Sequence, residues 1–482
     1  MATSIIWFRH DLRLADNPAL LAAVEQGGSV IPVYIWSPED EGDWPPGGAS
    51  QWWLHHALAA LDADLRKRGS RLIIRSGRTV ESLVALVRET KATAVFWNHR
   101  YEPAAVQIAK DVENALRRQG LSVGEFHGNL LFDPRVTLNR QGGPFQVFTP
   151  YWKHCLAAPE PELPKPAPGR ISRPRRWPSS QSLNDLRLLP KVKWADGIAK
   201  DWTPGERAAC HRLSRFIENA LGDYSVGRDR PEKVGTSRLS PDLHWGHVSP
   251  RQVWHAVKRS TRRKSPKVAT QAAGYLRQLG WREFAHHLLV HFPHTPQEPL
   301  RPAFARFPWN GSPEHLRAWQ HGRTGYPLVD AGMRELWHNG WMHNRVRMVV
   351  ASFLVKHLLV PWQEGARWFW DTLVDADLAN NTLGWQWCAG CGADAAPYFR
   401  IFNPVLQGRR FDPDGGYVRR WVPEIAGLGD KHVHEPWAAK AADLAECCIR
   451  LGRDYPEPVI DHAEARKRAL KAYDRLRGKP DR

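Results

Sequence analysis

The chain has 482 residues, so it is long enough for two or more domains with sizeable cores. It contains no run of eighteen apolar residues, which excludes a membrane-spanning helix, and its six scattered cysteines exclude a disulfide framework. The 68 basic residues outnumber the 50 acidic ones, and the resulting net charge of +18 favours a polyanionic partner, most commonly nucleic acid.

The N-terminus, "MATSIIWFRHDLRLAD", reaches a charged residue at Arg9, which is too early for the apolar core of a signal peptide. A cytoplasmic protein is therefore expected. Cys388 and Cys391 form a CxxC motif, but no second pair of ligands stands at zinc-site spacing. Buried free thiols and no metal site are predicted.

The first third of the chain alternates short apolar runs with helical patterns. Residues 4–8, 29–36, 71–75 and 93–97 are rich in Ile, Val and aromatic residues and predict buried strands. Residues 50–68 and 82–89 predict helices between them. This alternation predicts an α/β domain with a parallel sheet over residues 1–130, although neither nucleotide-binding fingerprint, GxGxxG or Walker A, is present.

Two further regions follow. Residues 159–190 are rich in proline and poor in apolar side chains, which is typical of an extended connector. Strand patterns then end, and runs such as "GMRELWHNGWMHNRVRMVVASFLVKHLLV" have helical periodicity. We therefore predict a linker over 131–199 and a large all-α domain over 200–482.

Three polar segments are candidate sites. "GTSRLSPDL" (235–243) offers hydroxyls and backbone amides that could cradle a phosphate, or simply cap a helix. In "WMHNRVRM", Asn344, Arg347 and Met348 share one helical face, which predicts either a buried polar network or a ligand wall.

"DADLANNTLGWQW" (375–387) is the third candidate. Asp377, Asn381 and Trp385 are spaced by four and form a stripe on a helix. Trp385 and Trp387 lie about 200° apart on that helix and point to nearly opposite sides. One could pack in the interior while the other faces a cavity. Two core tryptophans with two capping acids would explain the same pattern.

Together with "IIWFRHDLRLADNPAL", "WREF", "TGYPLVDAGMREL" and "DAAPYFRIFNP", these segments resemble the photolyase/cryptochrome family of flavoproteins. The resemblance runs in order from about residue 4 to residue 460. It implies a Rossmann-like antenna domain joined by a long connector to a helical FAD domain. It also implies a monomer that acts on UV-damaged DNA.

The resemblance assigns the FAD site residue by residue. The phosphates would be held near Tyr224, Thr236, Ser237, Arg238, Leu239 and Ser240. Asn344, Arg347 and Asp377 would line the flavin, and Arg282 would pair with Asp375 close to the isoalloxazine. Asn381 would face flavin N5, where plant cryptochromes carry aspartate. A neutral amide there tolerates an anionic reduced flavin, which a carboxylate would repel.

The resemblance also assigns an electron relay and a lesion site. Trp385, Trp362 and Trp309 match the three tryptophans that carry an electron between the surface and the flavin. The lesion residues implied by the match are Arg228, Gln278, Trp281, Asn344, Met348, Trp387 and Arg400. Many cyclobutane-dimer photolyases carry glutamate where this chain has Gln278, which puts the substrate range in question.

The function implied is light-driven repair of cyclobutane pyrimidine dimers. A cryptochrome photoreceptor and a (6-4) photolyase are the alternatives, and the sequence "HNRVRM" favours the cyclobutane dimer over the (6-4) lesion. For the antenna chromophore, methenyltetrahydrofolate is expected ahead of 8-hydroxydeazaflavin. The stretch "GGASQWWLHHAL" resembles that of relatives of plant cryptochromes, some of which bind folate on a different surface.

Overall fold

The computed structural model describes residues 2–262 and 264–478. Met1, Arg263 and residues 479–482, the end of the predicted helical domain, lie outside these ranges. None of the helices within them combines the length and the apolar composition that a bilayer-spanning segment needs.

The N-terminal region contains a five-stranded parallel sheet in the order β3-β2-β1-β4-β5. Its strands are β1 (Thr3–Phe8), β2 (Ser29–Trp36), β3 (Ile73–Ser76), β4 (Ala94–Asn98) and β5 (Ser122–Phe126). The four predicted strands are confirmed to within three residues. The fifth strand, SVGEF, was missed because no residue of this edge strand is fully buried and its sequence lacks an apolar run.

Both faces of the sheet are covered, which explains why the three central strands, β1, β2 and β4, are largely apolar. Ile5 and Trp7 point into one cluster with Leu83 and Leu116, while Ile6 and Phe8 point into another with Leu54. Side chains alternate along a strand, so helices on both faces require apolar residues at every position. This confirms the expected α/β architecture.

The α-helices in the described ranges are α1 (Pro18–Glu25), α2 (Gly48–Lys67), α3 (Thr79–Thr90), α4 (Pro103–Arg117), α5 (Phe148–Ala157), α6 (Asp196–Asp201), α7 (Glu206–Asn219), α8 (Tyr224–Gly227), α9 (Ser240–His244), α10 (Pro250–Thr261), α11 (Pro266–His291), α12 (Pro313–Gln320), α13 (Pro327–Asn339), α14 (Asn344–Ser352), α15 (Trp362–Thr372), α16 (Leu378–Ala389), α17 (Pro404–Phe411), α18 (Gly416–Trp421), α19 (Ala441–Glu446) and α20 (His462–Leu476). Short 3₁₀ helices span Pro38–Glu41, Leu183–Leu186, Leu221–Asp223, Pro302–Arg306, Pro423–Ile425 and Pro436–Ala438, and one π-helical turn spans Phe353–His357.

The helices after residue 200 enclose two cores. One contains α13 to α16, and the other contains α7, α10 and α11. Helix α5, which lies inside the predicted linker, packs its Phe148, Tyr151 and Trp152 into the second core. The long apolar pattern after residue 332 is not one helix, because Gly340 adopts φ +66 and ends α13 before α14 begins.

The two regions are joined by buried polar contacts. The Arg13 guanidinium is almost fully buried and donates to the carbonyls of Gly128 and Gly246, at 2.7 and 3.0 Å. The Leu12 amide donates to the Trp245 carbonyl at 3.0 Å. Because a buried guanidinium is costly to leave unpaired, these contacts hold the sheet domain against α9 and the loop that follows it.

The cysteines are unpaired. Cys388 and Cys391 are buried, and burial raises the pKa of both thiols to about 12, so both remain protonated. In the described part of the chain, no three His, Cys, Asp or Glu side chains converge as metal ligands.

Candidate functional site

The hydroxyl-rich segment leads into the short helix α9. Ser237 Oγ accepts a hydrogen bond from the Tyr275 hydroxyl at 3.0 Å, and Ser240 Oγ accepts one from the Trp341 indole N–H at 3.2 Å. Leu239 is buried beneath the segment, and Tyr224 packs edge-on against Tyr275. The segment is therefore fixed from below, while Ser240 itself is exposed.

Arg238 is the side chain in this segment best suited to an anionic ligand. Its guanidinium lies between the rings of Trp202 and Trp341, at 4.4 and 4.8 Å from their centroids. Its Nε and Nη2 atoms are buried without a hydrogen-bond acceptor among the described residues, and the Asp201 carboxylate is 3.9 Å away. Buried N–H groups seldom go unpaired, so this site fits a ligand phosphate such as those of FAD.

The acid–arginine pair of this region differs from the expected one. Arg347, not Arg282, contacts Asp375, and its Nη2 donates to both carboxylate oxygens, at 2.8 and 3.0 Å. The expected Arg282–Asp375 pair is wrong, because the Arg282 guanidinium lies between two segments of main chain. It donates to the carbonyls of Asn129 and Leu243, at 2.8 and 3.2 Å.

Asp377 begins helix α16 as its N-cap, accepting from the Asn380 amide at 2.8 Å. His244 and His286 approach its carboxylate, each at 3.5 Å. Burial alone would raise the pKa of Asp377, but His286, His244 and Arg282 together lower it well below its usual range. One turn along, Asn381 Nδ2 donates to the Ala366 carbonyl at 3.0 Å, which fixes the orientation of its amide.

The two tryptophans of α16 do differ in surroundings. Trp385 is 2 % exposed and contacts Phe369 and Trp319, whereas Trp387 is half-buried. A Cβ at Gly365 would lie 2.0 Å from the Trp385 ring, so helix α15 passes directly under that indole.

The other two relay candidates share this core. Trp362 stands one turn before Gly365 on α15 and is also 2 % exposed. Trp309 is half-buried at the edge of the same core, against Phe307. Two of the three relay candidates are therefore buried, and the third lies nearer the surface.

The first part of the predicted lesion site assembles on α11. Arg228 donates to the Gln278 side-chain oxygen at 3.3 Å, so these two residues meet as neighbours. Trp281, one turn further, stacks flat on Phe148, with 3.8 Å between ring centroids and 8° between planes. Trp281 is half-buried. Phe148 had not been predicted, because its helix lies in the segment read as a connector.

The second part lies on α14. Asn344 is exposed at the first residue of the helix, and its Nδ2 is 4.0 Å from the Met348 sulfur. Arg345, which the sequence analysis missed, approaches the same sulfur at 3.8 Å and forms an ion pair with Asp229 at 2.7 Å. Because Asp229 follows Arg228 directly, this pair holds the Arg228 loop beside α14.

Arg400 is not brought into contact with these residues. Its side chain is exposed on the loop after α16, and it makes no hydrogen bond or ion pair with the other predicted lesion residues within the described ranges.

Arg345, His244 and His286 lie in or next to the candidate segments of the sequence, yet only the fold brings them to the site. No spacing rule would have selected them.

Comparison with known proteins agrees with this geometry. Residues 4–168 match the DNA photolyase family, and residues 275–475 match the FAD binding domain of DNA photolyase. The chain is 49 % identical over 473 residues to a deoxyribodipyrimidine photo-lyase of Agrobacterium fabrum, with 98 % of each chain covered. It is 40 % identical over 486 residues to cryptochrome-2 of Arabidopsis thaliana, covering 98 % of this chain and 79 % of that one.

Among solved structures, a bacterial class III photolyase from Agrobacterium tumefaciens superimposes with a TM-score of 0.96 at 48 % sequence identity. The alignment covers 99 % of this chain and 98 % of that one. The family match, the full-length relatives and the shared fold lead to one conclusion: the chain belongs to the photolyase/cryptochrome family of flavoproteins.

Proposed function

We propose that the protein is a deoxyribodipyrimidine photo-lyase that repairs cyclobutane pyrimidine dimers in DNA under light. When bound and reduced, FAD supplies the electron that opens the cyclobutane ring and receives it back afterwards. The protein itself binds the flavin, excludes water from it and presents the lesion. No proton transfer or hydrolysis is required of its side chains.

The observation that carries this proposal is the arrangement of helix α11. Gln278 and Trp281 lie within one turn of each other, and Arg228 meets Gln278 at 3.3 Å. An amide, a guanidinium and an aromatic face are the groups needed to receive a pyrimidine that has been turned out of the duplex. Stacking on an aromatic platform of this kind stabilises a base by about 1–3 kcal/mol.

Asn381 supports an anionic reduced FAD. Its side-chain amide carries no charge and is held by the Ala366 carbonyl. A carboxylate at this position would raise the energy of a nearby anion, whereas the amide does not. Arg347 adds a cation on the neighbouring helix, where Asp375 holds it in place.

The proposed macromolecular partner is UV-damaged DNA, bound by a cytoplasmic monomer. The net charge of +18 favours a polyanion, and the exposed Arg400 could contact a phosphate beside the lesion. All six cysteines are unpaired, as is typical of proteins in a reducing compartment.

The test is repair of a defined lesion. Chemically reduced protein is illuminated with an oligonucleotide carrying one thymine cyclobutane dimer, and the absorbance of the intact bases is followed. We expect light-dependent restoration and none in the dark. Full FAD occupancy without restoration would contradict the proposal.

Two other functions are distinguished by the same assay. The 40 % identity to an Arabidopsis cryptochrome favours a photoreceptor as the second candidate, and a receptor would leave the dimer intact. A (6-4) photolyase is the third candidate, because Gln278 stands where many cyclobutane-dimer photolyases carry glutamate. An oligonucleotide with a (6-4) photoproduct, run in parallel, would be restored in place of the cyclobutane dimer in that case.

For the antenna we propose methenyltetrahydrofolate, held in a cleft on the helical domain. The crevice beyond the sheet, where α/β proteins usually bind ligands, is filled by buried ion pairs. Arg100 contacts Glu41 at 2.6 and 2.8 Å and Glu102 at 3.3 Å, and its side chain is 8 % exposed. A planar chromophore would have to displace these pairs.

The cleft measures about 330 Å³ and is lined by Gln320, His321, Met333, Arg334, Trp337, His338, Trp368 and Trp421. Trp337 and Trp368 present parallel rings, 10° apart in plane, and Trp337 is 56 % exposed. Two such rings suit a flat, conjugated ligand. Helix α15, which carries Trp368, also contacts the start of α2, where the Gly48 amide donates to Asp371 at 2.8 Å.

Reconstitution tests this site. Protein stripped of its antenna is mixed with methenyltetrahydrofolate or 8-hydroxydeazaflavin, and the bound absorbance band is recorded. We expect folate uptake that is lost in Trp337→Ala, with FAD content unchanged. Leu406→Ala removes an apolar side chain that is also 56 % exposed and should bind folate normally. Normal uptake by the Trp337 variant would place the chromophore elsewhere.

A further inference from the structure

Lys356 is a buried lysine without a carboxylate partner among the described residues. Its side chain is 1 % exposed, and it lies in the π-helical turn that follows α14. Burial lowers the pKa of Lys356 to about 8. Taking an ammonium group out of water is unfavourable, and here no ion pair offsets that cost.

The contacts of Lys356 point to a single loop. Its Nζ donates to the main-chain carbonyl of Arg400 at 2.9 Å and lies 5.2 Å from the centroid of the Tyr398 ring. π-Helical turns are rare and often occur at functional sites. This one carries the lysine that contacts the segment of Arg400.

That loop has little else to fix its outer part. Tyr398 is buried and stacks on Tyr473, 4.7 Å away between centroids. The next two residues are exposed: Phe399 at 63 %, and then Arg400. Their main-chain amides make tight local hydrogen bonds, from Arg400 N to the Pro397 carbonyl and from Ile401 N to the Phe399 carbonyl. The Lys356 ammonium is the link from the core to the main chain at Arg400.

We propose that Lys356 is a positioning residue for DNA binding, whose ammonium group fixes the main chain at Arg400 so that the Arg400 guanidinium faces a phosphate. This rests on the proposed function, in which Arg400 is a DNA contact. The π-helical turn directly continues α14, which carries Asn344 and Met348. Lys356 thereby couples the lesion helix to the phosphate-binding loop.

The test uses Lys356→Met in the full-length flavoprotein, because methionine fills similar space but cannot donate a hydrogen bond. Affinity for the dimer oligonucleotide is measured in the dark, and repair of the bound dimer is measured in single-turnover illumination. We expect affinity to fall by about 5- to 10-fold, because an Arg400 guanidinium whose main chain is no longer held makes a weaker phosphate contact. The repair rate of bound dimer and the FAD content should not change.

A double-mutant cycle separates positioning from a general loss of charge. Arg400→Ala should weaken binding and lower its salt dependence by about one phosphate contact. Adding Lys356→Met to Arg400→Ala should have no further effect, since the lysine acts through that arginine. Lys440→Met removes an exposed positive charge elsewhere and should bind as the wild type does.

Three results would overturn this proposal without affecting the proposed function, provided that the wild type repairs the dimer normally. Lys356→Met could bind as tightly as the wild type, or its loss could add to that of Arg400→Ala. It could also lose FAD or melt well below the wild type, which would assign Lys356 to the fold. A wild type that neither binds nor repairs the dimer would overturn this proposal and the proposed function together.

Discussion

At the scale of single residues, light-driven reduction of FAD and repair of the dimer should depend on different side chains. We expect Trp362→Phe to abolish light-driven reduction of FAD, because phenylalanine is much harder to oxidise than an indole. Chemically reduced Trp362→Phe should still repair the dimer, since Gln278 and Trp281 are untouched. Flavin absorbance under blue light with an external reductant measures the first effect.

Trp319→Phe is the matched control, because Trp319 is fully buried and contacts Trp385 but is not one of the three relay positions. It should photoreduce normally. Unimpaired photoreduction in Trp362→Phe would show that the relay is wrongly assigned. Loss of repair after chemical reduction would give Trp362 a role outside electron transfer.

A second residue makes stability depend on pH. Glu335 is buried and accepts from the Tyr417 hydroxyl at 2.7 Å, and burial raises its pKa to about 7. The unfolded chain loses this proton near pH 4.5, so folding binds a proton between about pH 4.5 and 7. Glu335 therefore lowers the free energy of unfolding as the pH rises through that window.

Glu335→Gln removes this dependence. We expect its free energy of unfolding to exceed that of the wild type by about 1 kcal/mol at pH 5 and by about 3 kcal/mol at pH 8. Urea denaturation at both pH values measures this difference. Glu446→Gln, at an exposed position, should show no such change between the two pH values. An equal difference at pH 5 and pH 8 would mean that Glu335 is ionised in the folded protein.

The sequence could not predict which charged side chains pair with each other. A motif places Arg282, Arg347 and Asp375 in one site, but it does not say which guanidinium meets the carboxylate. Arg347 takes that position, while Arg282 donates to the main chain of Asn129 and Leu243. Main-chain acceptors are present at every residue, so their use leaves no trace in the sequence.

At the scale of elements, the close contact between α15 and α16 depends on Gly365. Gly365→Ala would place a methyl group against the Trp385 ring and force the helices apart or the indole to move. We expect a net destabilisation of about 1–2 kcal/mol, because overpacking outweighs the higher helix propensity of alanine. Photoreduction should slow with it. Melting temperature and the rate of flavin reduction measure the two effects.

Gly274→Ala on α11 is the control, since its Cβ would meet only the Tyr224 ring, at 4.0 Å. It should melt at or above the wild-type temperature. A Gly365 variant that behaves in the same way would show that the Trp385 ring can shift without cost.

Prediction at this scale succeeded where one physical rule dominates. Four of the five strands were recognised from their apolar runs, which burial on both faces requires most strictly of a central strand such as β1, with Ile5 to Phe8. Strand β5 and helix α5 were not predicted, for two different reasons. The first is an edge strand without full burial, and the second begins among prolines and glycines that resemble a connector.

At the scale of the whole molecule, the α/β and all-α regions were predictable from the change in periodicity along the chain. Their junction was not. Arg13 crosses it to carbonyls of Gly128 and Gly246, more than one hundred residues away in each case, and local patterns carry no information on such distant acceptors. The predicted flavin and lesion residues, Arg238 among them, come from the family resemblance, whereas the burial of two unpaired guanidinium nitrogens of Arg238 is visible only in the fold.

The stack of Trp281 on Phe148 has a consequence for where this protein can be divided. A fragment that starts at residue 200 would keep every predicted flavin residue and Trp281, but it would lose the ring that supports the indole from below. The exposed indole would then have two free faces and no fixed plane to offer a base. If Trp281 receives a damaged base as proposed, the smallest piece of chain that can do so begins before α5, inside the segment predicted to be a connector.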